Sequence, residues 1–197
     1  MRFTRLAKRR DQPTPTVYVL SAMAIFIVQA IVLRAMGRPS ICTCGYIQFW
    51  YGDLNGAGLS QHLTDWYTFT HITHGFGFYF LLRWLAPRAS FGLRLTLMLG
   101  LETSWEIMEN SPFIIDRYRQ SALAQGYDGD SVANSLSDSV STLLGFVLAC
   151  LLPARLSLAL VLASEVFLAF AIRDNLSLNI IQLVHPTQAV SAWQAGR

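Results

Sequence analysis

The sequence predicts an all-α fold, a polytopic transmembrane helical bundle of about five spans. Three observations carry that prediction. Apolar residues make up 53% of the chain and charged ones only 14%, against about 25% charged in soluble domains. The apolar residues gather into blocks of about 20, the length that crosses a bilayer core. A few acids and histidines recur inside those blocks at helical spacing, where ionisable groups are costly and face the bundle interior.

The elements follow in order. Residues 1–16 form a basic arm with Arg2, Arg5, Lys8, Arg9 and Arg10. The apolar block 17–36 comes next. It is long for a signal-peptide core and no A-x-A cleavage site follows, so it reads as an uncleaved first span. A glycine-rich loop with polar and aromatic residues leads to a second span at 66–87. A short basic turn precedes a third at 93–111. Residues 112–131 are polar and read as a loop. A fourth span, 132–152, is stopped by Pro153, and a fifth covers 156–172. Together 17–175 make one transmembrane domain. The tail, 176–197, has an apolar run too short to span and reads as external, with an interfacial helix. There is no internal repeat.

Lys and Arg placement sets the orientation. With the N-terminus in the cytoplasm of a bacterial inner membrane, the inside segments hold nine of them and the outside segments six. The arm dominates this bias and can touch anionic lipid. Nucleic acid is not an expected partner, because no stacking motif or helix-turn-helix pattern accompanies the charge. Membrane lipid is the expected partner. Cys42 and Cys44 fall in the first external loop, where oxidation is possible. A disulfide across a one-residue gap is strained, and no other Cys or His lies close in sequence to complete a soft-metal site. Cys150 reads as core.

The chemistry concentrates on the inner faces of four spans. Glu102, Glu106 and Glu109 are spaced i, i+4, i+7, one helix stripe. His71 and His74 are i, i+3. Asn134, Asp138 and Ser141 repeat the i, i+4, i+7 stripe. At about 1.5 Å per residue these groups fall at similar depth, in the outer half of the bilayer. Glu165 reaches a similar depth on the fifth span. The expected picture is a pocket open to the outside, lined by His, Glu and Asp.

Carboxylates this close cannot all be ionised and unpaired. They need protons, a protonated His, a cation such as Arg117 or Arg119 over the mouth, or a metal. His71, His74, Glu102 and Glu106 are ligand types that suit Zn, Mn or non-haem Fe. A metal centre, a metal-free acid–base site and a structural polar network all remain open on the residues alone. Asp130 and Ser131 are candidate caps of the fourth span.

The segments Ser60-Gln61-His62, Asp65-Trp66-Tyr67 through Gly75, ETSWEIMENSP at 102–112 and YDGDSVANSLSD at 127–138 resemble a family of uncharacterised alphaproteobacterial integral membrane proteins. The resemblance covers most of the chain beyond the first span and brings no activity with it. More distantly, Trp105-Glu106 and Glu109 with Asp138 and Gly145 on the next span are similar to VanZ-like membrane proteins. That likeness implies a polytopic helical fold with an intramembrane polar site.

The leading expectation is a membrane-embedded hydrolase of a lipid or lipid-linked substrate in the outer leaflet. Glu106 or Glu102 would be general base or metal ligand. His71 and His74 would be ligands or proton carriers, with Asp138 orienting one of them. Arg117 and Arg119 would hold an anionic head group. A proton-coupled transporter and a non-catalytic scaffold or assembly protein are the rival readings.

Overall fold

The computed structural model describes residues 13–121 and 123–196. The five basic residues of the arm lie outside them. Eight helices are present among the described residues, and no strand beyond an isolated bridge between Trp50 and Thr64. Five are long: α1 (Pro15–Ala35), α2 (Thr68–Leu85), α3 (Phe91–Glu109), α5 (Val132–Leu151) and α6 (Ala154–Ala171). Three are short: α4 (Pro112–Tyr118), α7 (Leu176–Val184) and α8 (Gln188–Gln194). Each long helix overlies one of the five expected spans, with ends shifted by no more than two residues.

Local chemistry sets the ends. Pro15 opens α1 in the first turn, where its missing N–H is no loss. Ser90 Oγ accepts from Leu93 N–H to cap α3, and Ser131 Oγ accepts from Asn134 N–H to cap α5. Pro153 separates α5 from α6. The one helix inside the region expected to be a loop is α4. Ser111 caps it and Pro112 starts it, so the Ser-Pro pair carried a start signal.

Among the described residues three helices, α1, α5 and α6, are long and apolar enough to cross a membrane. At 18 and 19 residues, α2 and α3 have comparable length, but their His and Glu residues and Arg94 lower the apolarity. The outer faces of α1 and α6 expose Leu20, Met23, Ile27 and Ile31, and Leu158, Leu162, Val166 and Phe170. Cys150 is exposed too, not core, because it falls on the outward side of α5.

The centre of the bundle is α2, α3 and α5. At one end, Phe76, Tyr79 and Leu82 of α2 pack with Met98 and Leu99 of α3 and Phe146 and Ala149 of α5. The other end of the same three helices is polar. Between them α2 and α5 meet backbone to backbone. A β-carbon on Gly75 would lie 2.1 Å from Thr142 O, and one on Gly145 would lie 2.0 Å from Ile72 O. Only glycine permits that approach, a device common between membrane helices. It presses the His71 face of α2 onto the Asp138 face of α5.

Candidate functional site

His71 is the hub. It is buried on α2, one turn before the Gly75 contact. Its Nδ1 lies 2.7 Å from Glu102 Oε1 and 3.4 Å from Glu106 Oε1, both on α3. Its Nε2 lies 4.0 Å from Asp138 Oδ2 on α5. His74 Nδ1 is 3.3 Å from Glu102 Oε2. The helical stripes read from the sequence therefore converge, and His71, His74, Glu102, Glu106 and Asp138 form one cluster.

The three carboxylates differ in how well they are satisfied. Glu102 is saturated: it meets both imidazoles, and Thr142 Oγ1 lies 2.7 Å from its Oε1. Glu106 Oε2 accepts from Ser135 Oγ at 2.6 Å, but its Oε1 is buried with no hydrogen-bond partner. Asp138 Oδ1 is also buried without one. Among the described residues, no Arg or Lys forms an ion pair with any of the three. Orphaned carboxylate oxygens in a buried site are expensive.

Residues that sequence reasoning passed over hold the cluster in place. Ser135 and Thr142 lie on the same α5 face as Asp138. Behind Ser135 stands Gln29 of α1, fully buried. Its amide donates to Ser135 O and Oγ and accepts from Thr103 Oγ1 and Ser139 Oγ. The available signal was a lone glutamine in an otherwise apolar span. Ser141 instead donates to Ser137 O and takes no part.

A cavity of about 720 Å³ opens beside the cluster. His71, His74 and Asp138 line it, with Glu109, Asp130, Tyr67, Tyr118 and Tyr127 around the wall. Glu102 and Glu106 are fully buried behind the imidazoles. Asn110 ties α3 to the start of α5: its side chain donates to Asp130 Oδ2 and accepts from Asp130 N–H. Burial pushes the Asp130 carboxyl above its usual range, against the hydrogen bonds from Asn110 and Tyr127 that lower it.

Arg117 and Arg119 do not line the cavity. Arg117 donates to Leu183 O, and Arg119 pairs with Asp128 and Asp116. The arginine on the wall is Arg38, which donates to Asp128 O beside Gly129. Gly129 has φ +89°, and a β-carbon there would collide with Arg38. Glu165 is elsewhere. It accepts from Leu176 N–H, Ser177 N–H and Ser177 Oγ, which anchors the start of α7. Cys42 and Cys44 are joined by a disulfide despite the one-residue gap. The fold brings His62 beside them, from 18 residues further along the chain.

Two sets of side chains have the geometry of a cation site within the cluster: His71, His74 and Glu102, and His71, Glu106 and Asp138. The second is made with the two carboxylates that each carry an orphaned oxygen. With Nδ1 held by Glu102, Nε2 is the nitrogen His71 would offer to a cation, and it faces Asp138.

A family model described as a protein of unknown function, DUF2585, matches residues 33–196. Curated relatives carry the name UPF0314 protein. One from Sphingopyxis alaskensis is 46% identical over 90% of this chain and 94% of its own length. One from Brucella anthropi is 47% identical over 90% of each chain. One from Rhizobium etli is 44% identical over 91% of this chain and 92% of its own. No solved structure matches the chain.

Proposed function

We propose, for a chain that belongs to the DUF2585 family of unknown function, a metal-dependent hydrolytic site inside the membrane. The observation that carries this reading is the pair of buried, unpartnered carboxylate oxygens, Glu106 Oε1 and Asp138 Oδ1, flanking His71. A divalent cation held by His71, Glu106 and Asp138 would give both carboxylates a partner and offset their charge. Two carboxylates and an imidazole suit Zn, Mn or Fe. Three protein donors would leave such a metal able to hold a water as well, the chemistry a catalytic site uses.

In this reading α2 and α3 also cross the bilayer, giving five spans with the N-terminus in the cytoplasm and the cavity on the outer side. A metal held at the cluster would supply an activated water, whose oxygen would go to a carbonyl carbon or phosphorus as the ester bond breaks. The ester oxygen leaves with one of the water's protons, and the acid product carries or releases the other. His74, on the cavity wall and tied to Glu102, is placed to carry that proton. Arg38 is the cation available to an anionic head group.

The test is metal content of detergent-purified protein for wild type, Glu106→Gln and Glu165→Gln. Glu106→Gln keeps the Ser135 partner, so folding should change by no more than about 0.6–2 kcal/mol. Metal affinity should fall by at least about tenfold. Glu165→Gln should keep its metal and lose stability instead, by about 0.5–1.5 kcal/mol for each hydrogen bond to α7 that breaks. Undiminished metal in Glu106→Gln, or none in wild type, would leave the cluster as helix glue.

A further inference from the structure

A second hollow lies on the bundle's flank, and its contents bear on what the site acts on. It has a volume of about 620 Å³ and runs between α2 and α6. Gly77, Phe80 and Leu81 form one wall, and Ala154, Leu158 and Val161 the other. The spacing of each set is helical, so each wall is one face of its helix. Phe80, Leu81 and Leu158 are exposed, which puts the hollow on the surface that meets hydrocarbon when α6 crosses the bilayer. The two helices touch only lightly, and Gly77 makes a notch: a β-carbon there would meet nothing within 4 Å.

Two residues, His74 and Leu176, line both this groove and the polar cavity. The apolar hollow therefore ends where the imidazole begins. From His74 to Leu81 the groove extends about 10 Å along α2. We infer that it holds one hydrocarbon chain of a membrane lipid, entering sideways from the bilayer between α2 and α6, with its polar head in the cavity beside His74. This rests on the proposed site for the chemistry done at the head. A chain leaving the bilayer for this groove exchanges one apolar surface for another, so little affinity comes from it. What the groove supplies is register: it threads the chain past Gly77 so that the first polar bond reaches His74.

The experiment uses the full chain in vesicles of phosphatidylethanolamine and phosphatidylglycerol, each lipid carrying a photoactivatable diazirine halfway along one acyl chain. Cross-linked residues are read by mass spectrometry, and metal content is measured on the same samples. Labelling of Phe80, Leu81, Leu158 and Val161 should exceed that of the lipid-facing residues Leu20, Met23 and Ile27 on α1 several-fold. Gly77→Leu, which fills the notch without a backbone clash, should bring groove labelling down to the α1 level while metal content and α1 labelling stay as in wild type. Gly77→Ala, too small to fill it, should label as wild type does. Groove labelling no higher than that of α1 in the wild-type protein overturns the inference, whether or not Gly77→Leu folds. So does groove labelling that survives in folded Gly77→Leu. The two readings fail separately: a metal-loaded protein with an unlabelled groove loses only the chain site, and a labelled groove without metal loses only the hydrolytic one.

Discussion

Gly145→Ala tests whether the site depends on two helices meeting at their backbones. The new β-carbon would sit 2.0 Å from Ile72 O, and ordinary contact begins near 3.4 Å, so α2 and α5 must part by the difference, about 1.4 Å. Thr142 stands one turn away. Its Oγ1 is 2.9 Å from His71 O, and such a shift takes that contact beyond hydrogen-bond range. His71 Nε2 and Asp138 Oδ2, now 4.0 Å apart, separate as well. Ligand distances in metal sites stay within about 0.2 Å of ideal, so the displacement is several times the tolerance. Overpacking of this kind costs about 1–3 kcal/mol in stability, and metal affinity should fall by at least about tenfold. Metal titration and thermal unfolding in the same detergent read both. Gly100→Ala is the control, since a β-carbon there meets nothing within 4 Å. It should keep its metal and gain up to about 1 kcal/mol from helix propensity. If Gly145→Ala matches Gly100→Ala in both readouts, the close approach does not hold the cluster together.

Two further predictions concern the ends of the bundle. Asp174, in the turn between α6 and α7, accepts from Tyr67 Oη–H and Gln194 Nε2–H, and burial raises its carboxyl above the ordinary 3.8. The folded protein then binds more protons than the unfolded one, so this contribution to stability is full below 3.8 and is lost as pH rises through the folded value. Asp174→Asn should flatten the fall of Tm over that window, and an unchanged slope would show that Asp174 does not titrate there. For orientation, a reporter fused after Arg88 should read cytoplasmic and one after Arg119 periplasmic, and the opposite pair would put the cavity on the wrong side.

The extent of the sequence's legibility follows from the kind of signal involved. The long helices were readable because an apolar block of span length has few alternatives. The convergence of His71, Glu102, Glu106 and Asp138 was readable because ionisable residues in such blocks must face inward. The division of labour among them was not. That Glu102 is saturated while Glu106 and Asp138 are not depends on Thr142 and Ser135, small hydroxyls on a neighbouring helix whose rotation is fixed by the Gly75–Gly145 contact. Arg117 and Arg119 drew notice as charges near a span end, yet they pair with Asp128, Asp116 and a backbone carbonyl. Arg38 reaches the cavity because the first loop folds back over the start of α5, where Val132 N–H donates to Pro39 O. No spacing rule encodes that return.

Gln29 has a consequence for how the molecule is made. Both of its donor hydrogens and its acceptor oxygen are committed, to Thr103 on α3 and to Ser135 and Ser139 on α5. The α5 partners lie 106 and 110 residues downstream. At about 5–20 residues per second of synthesis, α1 waits roughly 5 to 20 seconds after its own emergence before they exist. Within that interval Thr103 of α3, 74 residues downstream, reaches the amide oxygen first, while the donor hydrogens still lack their α5 acceptors. Seating of α1 therefore begins on α3 and is completed by α5, and the second step also delivers Ser135 to Glu106. One buried amide thus fastens α1 in two steps, first to α3 and then to α5.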